Sequence, residues 1–430
     1  MERRCQWVFV VCAIVVGGCA LSPRRPPPPD LINNAVPDGF STRIRLYSVD
    51  RRDFASELPQ ILIDLRRATK TAPARILALS GGGASAAFGA GALIGLTHAH
   101  ARPKFTIVTG VSAGALIAPF AFLGASWDPQ LRHVFASGLI ERLGHAVSRM
   151  AIARRILFPN VAGPHGPLAE LVDQTYTDAM IDAIGREADS GRKLLVATTN
   201  LDSQETVLWD MTAIAARGGA AAHDLFREVL TASASVPGVF PPVLIRVREG
   251  NAVYDEMHVD GSVTTPLFVL PLIAPTVIDQ GLRLEGGTIY VIVNGRLAMT
   301  PSKTPVNTLK ELAESFSAQI TYKTRDAVVL ARGLAYRSHM QFRISSIPVD
   351  YPAGNFLDFH QKHIRQLFSY GESCAAQGLL WTTIAKSIER NVYRHVEATP
   401  STIACPRSVL STSLKRTDDF ETLPLERVEH

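Results

Sequence analysis

The chain has 430 residues, 47% hydrophobic and 19% charged, an ordinary globular composition with length enough for a large core and more than one compact unit. The formal net charge is +5, but the basic residues are scattered and never run longer than a pair. That excludes a basic nucleic-acid-binding stripe and leaves only mild attraction to an anionic membrane surface.

The N-terminus opens with Arg3 and Arg4, followed by an apolar run from Trp7 to Val16. The run is too short to span a bilayer and suits the hydrophobic region of a secretory signal. It ends in Val16-Gly17-Gly18-Cys19, which resembles a bacterial lipobox. The expected segments are a signal peptide over 1–18 and a lipidated Cys19 opening a lead-in over 19–70. The protein is thus expected in a bacterial cell envelope, anchored by lipid to the outer membrane or to the periplasmic face of the inner membrane. The run Ser22-Pro23-Arg24-Arg25-Pro26-Pro27-Pro28-Pro29 predicts an extended polyproline spacer holding the folded part away from the membrane. A helix is expected around Glu57–Thr69. Of the five cysteines, Cys5 and Cys12 leave with the leader and Cys19 takes the lipid. Cys374 and Cys405 remain as a candidate disulfide in an exported chain.

The core then alternates strands and helices. Arg75–Leu79 reads as a strand running into Ser80-Gly81-Gly82-Gly83, and Ala84–Ala99 as a small-residue helix. Phe105–Thr109 reads as a second strand, and Ser112–Leu123 as a second helix. Gly124–Gly191 is mainly helical with Pro and Gly breaks and is expected to cover the site. Lys193–Thr199 and Glu205–Trp209 read as strands that pair with each other, Thr288–Val293 as a buried strand, and Asp358–Leu380 as a helix. The order argues for an α/β layered fold with a mostly parallel sheet. The expected organisation is a catalytic core over 71–272, a C-terminal extension packed on it over 273–400, and a polar tail over 401–430.

Four blocks carry chemistry. Gly110-Val111-Ser112-Ala113-Gly114 is a G-x-S-x-G between a strand and a helix, the context in which a sharp turn exposes a nucleophilic serine. Gly81-Gly82-Gly83 places backbone N–H groups ahead of a helix N-terminus, which suits a developing oxyanion. A Walker loop is excluded because no Gly-Lys-Ser/Thr follows, and the dinucleotide pattern lacks its third glycine. Val259-Asp260-Gly261-Ser262 taken alone is a turn. Ala232-Ser233-Ala234-Ser235-Val236-Pro237-Gly238-Val239-Phe240-Pro241-Pro242 taken alone is a loop after a helix.

Taken in chain order, first Gly81-Gly82-Gly83, then Gly110–Gly114, then Ala232–Pro242 and last Val259–Ser262, the four blocks resemble the patatin-like phospholipases, over about residues 76–265. The resemblance implies a three-layer α/β fold with a helical insertion, a Ser–Asp dyad, and hydrolysis of lipid acyl esters of phospholipase A or lysophospholipase type. It implies no metal and no organic cofactor. Ser112 matches the nucleophile and Asp260 the base. Gly82 and Gly83 match the oxyanion loop, with Gly81 opening it and Ala113 N–H as a further donor; Gly110 and Gly114 flank the elbow. The chain departs from the family at Ser85-Ala86, where a basic residue and Gly are usual, and at Ser262, where Gly or Ala is usual. The implied partners are a membrane lipid as substrate and the membrane itself, with no nucleic acid. Two other readings remain open. One is a Ser-Asp-His esterase of small soluble esters, whose histidine would be His339, His360 or His363. The other is a catalytically silent lipid-binding or envelope-interaction protein on the same fold. His258, two residues before Asp260, reads as a strand-end side chain facing elsewhere.

Overall fold

Runs such as Arg75-Ile76-Leu77-Ala78-Leu79 and Thr288-Ile289-Tyr290-Val291-Ile292-Val293 leave neither face free for water, so both faces must be covered by helices. The computed structural model describes residues 24–31, 35–40, 44–47, 60, 63–146, 166–269, 284–298, 306, 308–352, 357–389 and 403–407. Its strands are β1 (Val36–Pro37), β2 (Arg45–Tyr47), β3 (Arg75–Leu79), β4 (Ile107–Val111), β5 (Lys193–Asn200), β6 (Glu205–Asp210), β7 (Val243–Glu249), β8 (Ala252–Asp260), β9 (Thr288–Val293) and β10 (Gln341–Ser346). The helices are α1 (Ala87–His98), α2 (Ala113–Leu123), α3 (Asp128–Ala136), α4 (Glu141–Ala146), α5 (Pro167–Thr175), α6 (Asp178–Arg186), α7 (Met211–Arg217), α8 (Ala220–Ser233), α9 (Thr308–Arg337), α10 (Gln361–Ala376) and α11 (Ile384–Glu389).

The strands form one sheet in the order β1-β7-β8-β5-β4-β3-β9-β10, with β6 also on β5 and β2 on β6. The stretch from β5 through β4, β3 and β9 to β10 is parallel. The flank of β8, β7 and β1, like β6 and β2, is antiparallel. The fold is thus mixed α/β, with a parallel half and an antiparallel half. β9 and β10 continue the sheet beside β3, so residues after 272 complete the central layer as well as packing on it.

Alternation along β3 makes the three layers visible. Leu77 and Leu79 point into the core shared with α1, α2 and α10, whereas Ile76 and Ala78 point into the core beneath α9. Helices α1 and α10 touch backbone to backbone. A Cβ on Gly91 would lie 2.0 Å from Phe368 O, and one on Gly371 2.3 Å from Phe88 O, so only glycine permits that approach.

Several sequence expectations shift by a few residues. The first helix starts only after a 3₁₀ turn over Gly83–Ala86. β4 begins at Ile107 instead of Phe105 and runs on to Val111, because its pairing with β3 starts at Ile76 opposite Ile107. The Pro-rich run departs further from its expected role. Its described part lies against the domain, with Pro27 buried and Arg25 O accepting Asp255 N–H at 2.8 Å. The reason is an open edge: β5 pairs β8 only at 258–260, and the strap covers β8 beyond that point. Residues 63–68 are helical within the expected Glu57–Thr69 stretch. Cys19 and most of the 401–430 tail lie outside the described residues, but residues 403–407 are held in place. Tyr370 Oη donates to Ala404 O at 2.9 Å, and a disulfide joins Cys374 to Cys405 with Cα atoms 5.4 Å apart.

Candidate active site

Ser112 stands between the end of β4 and the start of α2, at φ 54 and ψ −129. An L-residue held there stores roughly 1–3 kcal/mol of strain and persists only where the surroundings enforce it. The flanking glycines make the turn possible. A Cβ on Gly110 would meet Ala115 Cα at 2.7 Å, and one on Gly114 would meet Ser80 O at 2.4 Å. Ser112 N–H donates to Ser233 Oγ at 3.0 Å, and Ser233 Oγ donates to Ala197 O at 2.7 Å. The elbow is thereby tied to α8 and β5.

β8 ends in Asp260 directly beside it. Ser112 Oγ donates to Asp260 Oδ2 at 2.5 Å, and Ser262 N–H donates to Asp260 Oδ1 at 2.7 Å. The strand end is set by Asp260 N–H donating to Ser235 O at 2.9 Å. The Ala232–Pro242 block therefore positions the aspartate through Ser235 and the serine through Ser233. Burial raises the Asp260 carboxyl from 3.8 to about 6, and the hydrogen bonds from Ser112 and Ser262 offset only part of that rise. A carboxylate with a pKa near 6 is a better proton acceptor than a solvated one and is still ionised at neutral pH.

The glycine loop divides its tasks. Gly81 N–H donates to Pro266 O at 3.1 Å, so Gly81 is not a free donor, contrary to its place in the expected oxyanion set. It serves as a gap: a Cβ there would meet Ser262 Oγ at 2.5 Å and Ser112 Cβ at 3.1 Å. The N–H groups of Gly82 and Gly83 have no acceptor among the described residues, and Gly83 turns at φ 55. Ala113 N–H opens α2 without a side-chain cap, as a first-turn donor lacking an intrahelical partner. These three donors and the α2 N-terminus are what the chain offers to a negative charge developing beside Ser112.

Ser112, Gly83, Ala86 and Ala113 open onto an apolar pocket. One wall is the α5 face of Leu168, Leu171 and Val172, followed by Tyr176, whose hydroxyl donates to Leu116 O. Val134, Phe135, Ile140 and Leu143 supply another. The described part of the Gly124–Gly191 insertion therefore walls this pocket; residues 147–165 of it lie outside the described residues.

No histidine contacts Ser112 among the hydrogen bonds of the described residues. His258 is buried, with Nδ1 at 2.9 Å from Thr198 Oγ1 and Nε2 at 3.1 Å from Glu256 Oε2. Burial lowers its pKa. Burial alone would raise Glu256, but Arg45 and His258 hold it down at about 2. This network ties β2 to β8. Of the later histidines, His363 pairs with Asp358 at 3.1 Å, His360 precedes α10, and His339 turns at φ 51 before β10.

Residues 77–273 match the family model of the patatin-like phospholipases. This stretch is a patatin-like phospholipase domain. No curated protein matches. Among solved structures, the crystal structure of VipD from Legionella pneumophila is similar at 12% identity, over 71% of this chain and 67% of that one, with a TM-score of 0.31.

Two residues outside the matched stretch brace the patatin-like site, and sequence reasoning did not single them out. Asn294, the residue after β9, has N–H donating to Ser80 Oγ and Nδ2 donating to Ser80 O, both at 2.8 Å. A Cβ on Gly82 would fall 1.8 Å from Asn294 O, so Asn294 and Ser80 set the path of the glycine loop. Lys323 on α9 donates to Val263 O at 3.1 Å, just past Asp260. The available signal for Asn294 was its place at the C-terminal end of a parallel strand, where α/β sites form.

Proposed function

We propose that the protein is a serine hydrolase of lipid acyl esters, of phospholipase A or lysophospholipase type, with Ser112 as nucleophile and Asp260 as its base. The observation that carries this reading is the 2.5 Å hydrogen bond from Ser112 Oγ to Asp260 Oδ2 at the mouth of an apolar pocket. Ser112 Oγ attacks the ester carbonyl carbon while its proton passes to Asp260. The carbonyl oxygen becomes an oxyanion facing the N–H groups of Gly82, Gly83 and Ala113. Collapse breaks the bond to the alcohol oxygen, which takes the proton from Asp260, and leaves acyl-Ser112. Water then attacks the acyl carbon and gives its proton to Asp260. The fatty acid departs and the proton returns to Ser112 Oγ. The pocket receives the acyl chain, and the α3–α5 insertion acts as its cover.

In the same reading Cys19 carries lipid and anchors the protein to a membrane of a bacterial envelope. The support is the Val16-Gly17-Gly18-Cys19 sequence after a short apolar run. Among the described residues no helix is long and apolar enough to cross a membrane. A fluorophosphonate probe tests the catalytic reading. It should label the wild-type chain and leave Ser112→Ala unlabelled; labelling that survives Ser112→Ala ends the assignment. Radiolabelled palmitate should enter the wild-type chain and not Cys19→Ser.

A further inference from the structure

The registers of the sheet give the site a direction. β4 and β5 are parallel, so Ser112, after β4, and Leu201, after β5, lie at the same end of the sheet. β8 runs the other way, with Asp260 opposite Thr198 and His258 opposite Asn200. The rest of β8, from Met257 back to Ala252, therefore continues past the end of β5, and β7 goes with it. The β7–β8 hairpin stands above the end of the sheet that carries Ser112.

The N-terminal strap is fastened to that hairpin. Arg24 Nε donates to Asp255 O at 3.0 Å, and the Arg24 guanidinium also pairs with Asp202. Asp202 Oδ2 in turn accepts Met257 N–H at 2.9 Å. Arg24 lies only five positions after Cys19, a span of at most about 18 Å. Two exposed leucines flank this point. Leu201 is 41% exposed and donates its N–H to Met257 O at 2.8 Å. Leu244 is 44% exposed and sits opposite Met257 across the hairpin. Arg246 and Arg248 follow Leu244 on the exposed side of β7, facing Asp255 in register and Asp38 as an ion partner. Apolar side chains beside guanidinium groups suit the headgroup boundary of a bilayer.

We infer that the surface carrying Leu201 and Leu244, beside the fixed point of the strap at Arg24, is the face by which the protein meets a lipid bilayer. This rests on the reading of the protein as a membrane-anchored lipid hydrolase and adds its orientation. The short reach of the chain before Arg24 holds this face at the membrane, and the same end of the sheet carries Ser112. An acyl ester therefore meets the site from the side on which the protein is tethered.

The test uses the full chain with Cys19→Ser, so that no lipid anchor contributes, and vesicles of phosphatidylethanolamine and phosphatidylglycerol. Leu201→Glu with Leu244→Glu should lower co-sedimentation with vesicles about tenfold. Vesicle-lipid hydrolysis should fall in step. Hydrolysis of a short water-soluble ester should stay unchanged, which also certifies the fold. The inference is overturned if the double variant binds vesicles as its parent does, the outcome expected if this face serves a protein partner. It is equally overturned if the parent does not bind them. A parent that binds vesicles but hydrolyses neither substrate removes the catalytic reading, and the binding comparison still decides the surface.

Discussion

At Asp260 burial and hydrogen bonding pull in opposite directions, and burial wins. Its carboxyl stands at about 6 against an ordinary 3.8, so between those values the folded chain binds more protons than the unfolded one. Stability contributed by this group therefore falls as pH rises from about 4 to about 6, by roughly 3 kcal/mol in total, and is constant above that. Activity runs the other way, because only the ionised carboxylate accepts the Ser112 proton: kcat/KM should rise through about pH 6. Asp260→Asn keeps the shape and removes the charge. Its activity should drop by about 10³-fold or more, and above pH 6 its melting temperature should equal or exceed that of the wild type. A pH–rate profile and thermal unfolding at pH 5 and pH 8 check both statements, and a flat profile between those values would count against Asp260 as the base. The motifs made Ser112 and Asp260 legible in the sequence. The role of Gly81 was not, because its N–H is taken by Pro266 O, a contact that no local pattern announces.

Between elements, the end of β9 braces the loop that follows β3. Asn294 reaches Ser80 through both its backbone and its side chain, and Ser80 Oγ also donates to Gly81 O at 2.7 Å. A loop donor aimed at an oxyanion is worth about 10²–10³ in rate, so loosening the brace should cost a good part of that. Asn294→Ala is expected to lower kcat by about 10–100-fold with little change in KM, since the acyl pocket is untouched. The lost buried hydrogen bond should also cost about 1–3 kcal/mol of stability. A kcat that holds while KM rises would show that Asn294 serves only the pocket. The strand over Thr288–Val293 was readable from its apolar run, because six consecutive apolar or β-branched residues have few alternatives. Its place between β3 and β10 was not, because parallel neighbours join through long crossovers whose lengths carry no register.

Across the whole molecule, the Cys374–Cys405 disulfide fastens the C-terminal segment to α10, the helix that packs on α1. The bridge closes a loop with a sequence separation of 31, which in the loop-entropy account contributes roughly 3–4 kcal/mol. Cys405→Ser should lower the unfolding free energy by about 2–4 kcal/mol and leave the initial rate on a soluble ester near that of the wild type, because neither sulfur lies in the pocket. Denaturant titration gives the first quantity; two free thiols in the denatured, unreduced mature chain would refute the bridge.

What the sequence determined by itself was local: the alternation of strands and helices, the glycine turns around Ser112, the loop glycines before α1, and the cysteines left for pairing. Each follows from side-chain size, branching or spacing within a few residues. The tertiary structure alone decided the rest. It brought Asp260 to Ser112 across 148 positions of chain, split the sheet into parallel and antiparallel halves, and laid the proline strap along β8 instead of leaving it as a spacer. The physical reason is the same in each case: an open strand edge, a buried carboxylate and an unpaired N–H are satisfied by whatever the fold brings near, and pairing over that distance is set by packing and register, which no window of sequence contains.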